Sequence, residues 1–172
     1  MTIKKIFIHH SDISQNISSQ FERINEAHKE KWNFPSPNTK LFGGYNYLCE
    51  TNGEIKQYRL DGEEQAAQKG ENTETLSICL AGNFNGETPT LEQKQKLAEF
   101  LEEKTLRYGL GKKDIFGHKE NLFSNTACPG VNLMNWIINY RNQDKLNFIQ
   151  AQIELIRKAI AGIFILLNGK KG

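Results

Sequence analysis

Cysteine is scarce in this chain, with three in 172 residues. That excludes a disulfide-stapled scaffold, and the odd count leaves at least one thiol free. Long apolar runs are missing as well. No stretch reaches the roughly 20 apolar residues that a membrane span requires. The opening MTIKKIFIHHSD offers only Ile6–Ile8 before histidines intervene, too little for the apolar core of a secretory signal. Synthesis in the cytoplasm is the expectation. An excess of one charge is also lacking: Lys+Arg 22 against Asp+Glu 20 gives +2, which argues against nucleic acid as a partner. No internal repeat or low-complexity segment is present. What remains, 38% hydrophobic and 24% charged residues in one domain's length, is the composition of a globular protein with a buried core.

The charge is spread unevenly. Residues 144–172 carry five basic side chains (Lys145, Arg157, Lys158, Lys170, Lys171) against two acidic ones (Asp144, Glu154), leaving the first 143 residues at −1. The expected organisation is a near-neutral domain, residues 1–143, followed by a basic tail, residues 144–172.

Within the domain, Lys4–His10 reads as a strand whose Ile-Phe-Ile run suits a central position. Ser19-Gln20-Phe21-Glu22 has the form of a capping box, and Phe21, Ile24, His28 and Trp32 follow at helical spacing. A helix is predicted from about Ser19 to Lys31. Phe34-Pro35-Ser36-Pro37-Asn38 is loop chemistry. Tyr45–Glu50 and Glu54–Arg59 flank Thr51-Asn52-Gly53, a hairpin signature. Leu76–Ala81 is another short strand. Thr90 and Gln93 form a second capping box, opening a helix that runs to about Tyr108 and stops at Gly109. Asp114–Gly117 is a brief strand, and a third helix begins near Asn132. Strands alternating with helices predict an α/β fold, a central mixed β-sheet flanked by helices, with a C-terminal helix added.

Three places carry side chains suited to a borderline-soft metal: His9-His10, His118 and Cys128. Zinc takes imidazole and thiolate readily, and a catalytic zinc keeps three protein ligands and one open position. Adjacent strand residues point to opposite faces, so only one of His9 and His10 can reach a given ion. A histidine that ends a strand can equally serve as a polar cap, and spacing alone does not choose between the two.

The ordered stretches IFIHHSD, GGYNY, LSICLAGNF followed by PTLEQ, and GH followed by TACPG resemble the zinc-dependent N-acetylmuramoyl-L-alanine amidases. That superfamily includes phage lysozyme-type amidases, muropeptide amidases and animal peptidoglycan recognition proteins. The resemblance spans roughly residues 4–140 and implies a mixed sheet with helices on both sides. It implies His9, His118 and Cys128 as zinc ligands, with His10 packed or hydrogen-bonded instead. It implies Tyr45 as a catalytic residue that orients or deprotonates the attacking water. Thr126 stands two residues before Cys128, where phage and recycling enzymes carry lysine, and its hydroxyl could donate one hydrogen bond to an oxyanion. Cys79 stands where recycling enzymes have glutamate and phage-type members have cysteine, which favours the phage-like branch. Cys49 and Cys79 otherwise read as small buried hydrophobes. Gln68 lies near a substrate-groove histidine of many relatives, and Asn46, Gln68, Asn72 and Asn83 are candidate substrate contacts.

The implied reaction is hydrolysis of the amide between N-acetylmuramic acid and L-alanine in peptidoglycan, with Zn2+ as the cofactor. The implied setting is a phage or prophage endolysin that reaches the cell wall after release. The alternatives are a cytosolic amidase acting on soluble muropeptides and a noncatalytic peptidoglycan-binding module. In the tail, Leu146, Ile149, Ile153, Ile156, Ile160, Ile163 and Leu167 recur at spacings of three and four, a heptad seam. A homo-oligomer through residues 146–167 is one expectation. Contact of the apolar Ala159–Leu167 and Lys170-Lys171 with a membrane surface is a second, and packing of the helix back on its own domain is a third.

Overall fold

The structure, a computed structural model, describes the backbone of residues 2–168; the side chains of 144–148, 151, 158–159 and 161–168 fall outside the described set. Five strands form one mixed sheet in the order β3-β2-β4-β1-β5: β1 (Lys5–His10), β2 (Tyr47–Cys49), β3 (Ile55–Gln57), β4 (Thr75–Leu80) and β5 (Ile115–Gly117). β1 runs parallel to both β4 and β5, β4 is parallel to β2, and β2 pairs antiparallel with β3 through the expected hairpin. The helices are α1 (Gln20–Trp32), α2 (Leu91–Tyr108) and α3 (Val131–Asn168).

Side-chain alternation divides the interior into two layers. Ile6, Ile8, Leu76, Ile78 and Leu80 face α2 and α3, where they meet Leu97, Leu101, Leu133 and Ile137. Leu48, Cys79 and Ala81 face the other way, towards Ile24 of α1 and the Tyr58 ring. The fold is therefore the helix-flanked mixed sheet read from the sequence.

Local signals hold where the partner is close in sequence. Thr90 caps α2 as read: Gln93 N donates to Thr90 Oγ1 at 3.0 Å, and Thr90 N donates to Gln93 Oε1 at 3.1 Å. The first capping box is corrected. Ser19 is left-handed at φ 57 and makes no side-chain cap bond. The start of α1 is held instead by Glu50, whose carboxylate accepts the Phe21 amide at 3.0 Å from 29 residues away. An anion at a helix N-terminus meets unpaired donors and a favourable dipole, so Glu50 substitutes for a local cap.

The tail is a continuation of α3, which runs unbroken through residue 143 for 38 residues, about 57 Å at 1.5 Å per residue. Of the heptad positions, Ile149, Ile153, Ile156 and Ile160 are exposed. Leu146, Ile163, Leu167 and Lys170-Lys171 lie outside the described side chains. No helix among the described residues is long and apolar enough to cross a membrane.

One buried charge fixes the segment that carries Tyr45. Arg59 is fully buried. Its Nε donates to Gly43 O at 2.8 Å, Nη1 donates to Glu64 O at 3.2 Å, Nη2 donates to Phe34 O, and the guanidinium lies over the Phe34 ring. One planar fork thus satisfies three carbonyls from two loops, the α1–β2 connection and the β3–β4 connection. Lysine has a single ammonium group and cannot reach all three. Arg59→Lys is expected to lower unfolding stability by about 2 kcal/mol in urea denaturation; a change below about 0.5 kcal/mol would show that the loops hold themselves.

Candidate metal centre

The site sits where the parallel strands end, the usual place for ligands in sheets of this kind. His9 is the penultimate residue of β1 and is opposite Cys79 of β4 in register. His118 follows β5 directly, at the start of a short 3-10 turn. Cys128 comes from the loop before α3, and two glycines set that loop's position. A Cβ on Gly117 would lie 2.5 Å from Met134 Sδ, and one on Gly130 would lie 2.4 Å from the Phe84 carbonyl carbon; Gly130 also holds φ 84. Those approaches explain the Gly before His118 and the Gly after Cys128-Pro129.

The donor atoms of His9, His118 and Cys128 all lie within 4.8 Å of one another. Cys128 Sγ is 3.8 Å from His9 Nδ1. A tetrahedral ion held at about 2.0–2.3 Å spaces its ligands roughly 3.4–3.6 Å apart, so the three side chains converge on a volume of the right size. Two imidazoles and a thiol, with no carboxylate, suit zinc and leave a fourth position open. The residues present therefore fit such an ion. His10 turns to the opposite layer, where its Nδ1 accepts the Phe84 amide at 3.3 Å.

Burial governs the electrostatics. It holds the His9 imidazole well below its usual value, with the neighbouring His118 adding to the effect. His118 is lowered chiefly by burial and then by His10. Both rings are thus neutral ligands near pH 7. Burial pushes the Cys128 thiol up to about 12, although the His10 amide, donating to its sulfur at 3.4 Å, pulls the other way.

Tyr45 is half-buried, with its ring centre 5.1 Å from that of His9. Burial together with the adjacent Cys79 and Cys128 thiols raises its hydroxyl well above the usual phenol value. Thr126 Oγ1 accepts the Cys128 amide at 3.1 Å and keeps its own proton to donate.

Of the four candidate substrate contacts, Asn46 and Gln68 are buried, and Asn72 and Asn83 are half-buried. Asn46 is fully buried, with Nδ2 donating to Leu60 O at 3.0 Å and Oδ1 accepting Ser77 N at 2.9 Å. Asn72 Oδ1 accepts the Ala67 and Gln68 amides, and Asn83 Oδ1 accepts the Asn85 amide. Gln68 is 1% exposed, and its Oε1 lies 3.1 Å from His9 Nε2, behind the metal ligand. These amides build loops, as short polar side chains beside turns commonly do.

Two neighbours of the site were not among the site residues expected from the sequence. Ser124 Oγ lies 3.1 Å from His118 Nε2. His28 Nδ1 accepts the Gly44 amide at 2.8 Å, and its ring lies 5.6 Å from Tyr45. Its place on an apolar helical face was the one hint for His28.

The profile of a family described as N-acetylmuramoyl-L-alanine amidase matches residues 1–131. Among solved structures, the N-acetylmuramoyl-L-alanine amidase LysC from Clostridium intestinale URNW is similar at 26% identity and TM-score 0.66, over 86% of this chain and 87% of that one. The endolysin amidase LysCS from Clostridium intestinale URNW is similar at 26% identity and TM-score 0.65, over 86% and 85%. Drosophila peptidoglycan recognition protein SD shares the fold at 23% identity and TM-score 0.66, over 78% and 79%. No curated protein sequence matches the chain.

A raised thiol beside two neutral imidazoles makes metal binding proton-linked. Because the Cys128 proton must leave when the sulfur becomes a ligand, zinc affinity of the metal-stripped protein is expected to rise about tenfold per pH unit between about pH 6.5 and 8.5. Chelator competition across that range checks it; an affinity independent of pH would remove Cys128 from the ligand set.

Proposed function

This chain belongs to the N-acetylmuramoyl-L-alanine amidase family, and from that premise we propose that it hydrolyses the amide joining N-acetylmuramic acid to L-alanine in peptidoglycan, with zinc held by His9, His118 and Cys128. The observation that carries the reading is the convergence of those three donor atoms at the strand ends. When bound, zinc supplies Lewis acidity, polarising the scissile carbonyl and making water nucleophilic near neutral pH.

The chain's own residues then divide the work. His9 and His118 bind as neutral rings and Cys128 as the single anion. Tyr45 stays a phenol, because burial and the adjacent thiols oppose its ionisation. It therefore orients the attacking water through its hydroxyl, and the proton that the water gives up passes to the leaving L-alanine nitrogen as the C–N bond breaks. Thr126, its oxygen occupied by the Cys128 amide, offers its proton to the oxyanion that develops on the carbonyl. A noncatalytic module would not need all three ligands together with the tyrosine. Similarity to two Clostridium intestinale amidases, one of them named an endolysin, supports a role in cell-wall lysis with peptidoglycan as the partner.

In this reading residues 1–143 form the catalytic unit, and the distal part of α3 associates with a second copy of the chain. Ile149, Ile153, Ile156 and Ile160 are 44–61% exposed. At 100° per residue they lie on the side of α3 opposite Leu133, Ile137 and Tyr140, which the core buries. The domain therefore cannot cover them, and isoleucine at both seam positions suits trimers or tetramers.

Two outcomes are expected. The zinc-loaded protein should release L-alanine-initiated peptides from muropeptides by mass spectrometry. Tyr45→Phe should be slower by about 100-fold with zinc retained, and Cys128→Ala should be inactive; cleavage by metal-stripped protein would sink the mechanism. Light scattering should show an oligomer that Ile153→Asp with Ile156→Asp returns to monomer. A wild-type monomer that instead sediments with anionic vesicles would replace association by membrane contact.

A further inference from the structure

Gln68 stands behind His9 at the centre of a buried polar chain. Its Nε2 donates to Glu71 O at 2.9 Å and to Thr75 Oγ1 at 2.8 Å, and lies 3.4 Å from Gln65 Oε1. The Thr75 hydroxyl spends its proton on Glu71 O at 2.6 Å, so towards Gln68 it can only accept. Gln65 is held in turn, with Nε2 donating to Thr75 O at 2.5 Å and Oε1 accepting the Ser77 hydroxyl. All four side chains are at most 2% exposed. Turning the Gln68 amide over would set its oxygen against the Glu71 carbonyl and the Thr75 lone pairs, leaving buried acceptors face to face. The amide orientation is thereby fixed, and Oε1 is the atom presented to His9.

An amide oxygen only accepts. The proton of the neutral His9 ring must then sit on Nε2, 3.1 Å from Gln68 Oε1, which leaves the Nδ1 lone pair facing Cys128 Sγ. Ser124 places no such demand on His118, because a hydroxyl can donate or accept. We propose that Gln68 is a positioning residue whose carbonyl, oriented by Thr75 and Gln65, holds His9 as the Nε2–H tautomer with Nδ1 free to bind the metal. A histidine ligand oriented by an outer partner binds metal about 10- to 100-fold more tightly than one left without it. The inference rests on the reading of His9, His118 and Cys128 as a metal centre.

Without the carbonyl, a buried Nε2–H has no acceptor, whereas a proton on Nδ1 would find the Cys128 sulfur. Gln68→Met removes the carbonyl at similar volume, and Gln68→Glu retains an acceptor. Long-range 1H–15N spectra of the metal-stripped protein should show His9 wholly as Nε2–H in wild type and in Gln68→Glu, and shifted towards Nδ1–H in Gln68→Met. Zinc affinity by chelator competition should fall about 10- to 100-fold in Gln68→Met. Nδ1–H in the metal-stripped wild type, or zinc affinity of Gln68→Met within about twofold of wild type, overturns the proposal and leaves the metal reading intact. If Cys128→Ala and His118→Ala bind zinc as tightly as wild type, the metal reading fails and the proposal with it.

Discussion

Alternation along one strand is the constraint on which the site depends. β1 lies between β4 and β5 with both faces covered, so its last two residues, His9 and His10, enter different layers. Each ring must find hydrogen-bond partners in its own layer, since a buried polar atom left alone costs about 1–3 kcal/mol. His9 has Gln68 and the Cys128 sulfur; His10 has the Phe84 amide. A slip of one residue would drive His9 among Ile78, Leu97 and Leu133 and put Ile8 against Tyr45. The register that pairs Ile8 with Ile78 and His9 with Cys79 is therefore also what defines the metal centre.

The other two ligands lie outside regular strands and depend on backbone bonds between loops. Lys119 N donates to Cys128 O at 2.7 Å, which ties the turn carrying His118 to the loop carrying Cys128. Phe84 joins that loop to the strand: its amide donates to His10 Nδ1, while its carbonyl accepts Asn132 N at 3.0 Å. Asn132 Nδ2 reaches Glu87 O at 2.7 Å in addition. His10 thus acts on the site through the Cys128 loop and through its own amide, which donates to Cys128 Sγ, while its ring stays in the opposite layer. Each His of the pair serves one centre from a different side of the sheet.

What the sequence made legible is what local chemistry decides. The strand cores, the hairpin at Asn52-Gly53, the Thr90–Gln93 cap and the stop at Gly109 are all written in neighbouring residues, and the structure follows them. The cap of α1 was not legible, because its acceptor is Glu50 and no local pattern announces a partner 29 residues away. Gln68 was unreadable for the same reason. Its direction depends on how the loop between β3 and β4 folds, and that loop is held by Asn72 and by Gly44 O accepting Ala66 N. The continuity of α3 could have been read. The charge shift near residue 143 suggested a boundary, but no Gly or Pro lies between Gly130 and Gly162, and a change of composition does not stop a helix.

The side chains in contact with His9, namely Tyr45, His118, Gln68 and Cys128, are uncharged; the acids whose charge reaches the site are Asp12, at Cys128, and Glu50, at Cys79. Burial lowers the imidazoles and raises the thiols and the phenol, so without an ion these groups are neutral at neutral pH. A dication that displaces the Cys128 proton leaves one net positive charge on the three ligands. Close to the ligands, the Tyr45 and Thr126 hydroxyls can answer that charge by turning a dipole. A glutamate in place of Cys79 would place an anion beside Tyr45 and hold its hydroxyl by a charge-assisted bond. With a neutral thiol there, the tyrosine hydroxyl has only a weak partner, and it is free to turn towards a substrate that brings a better one.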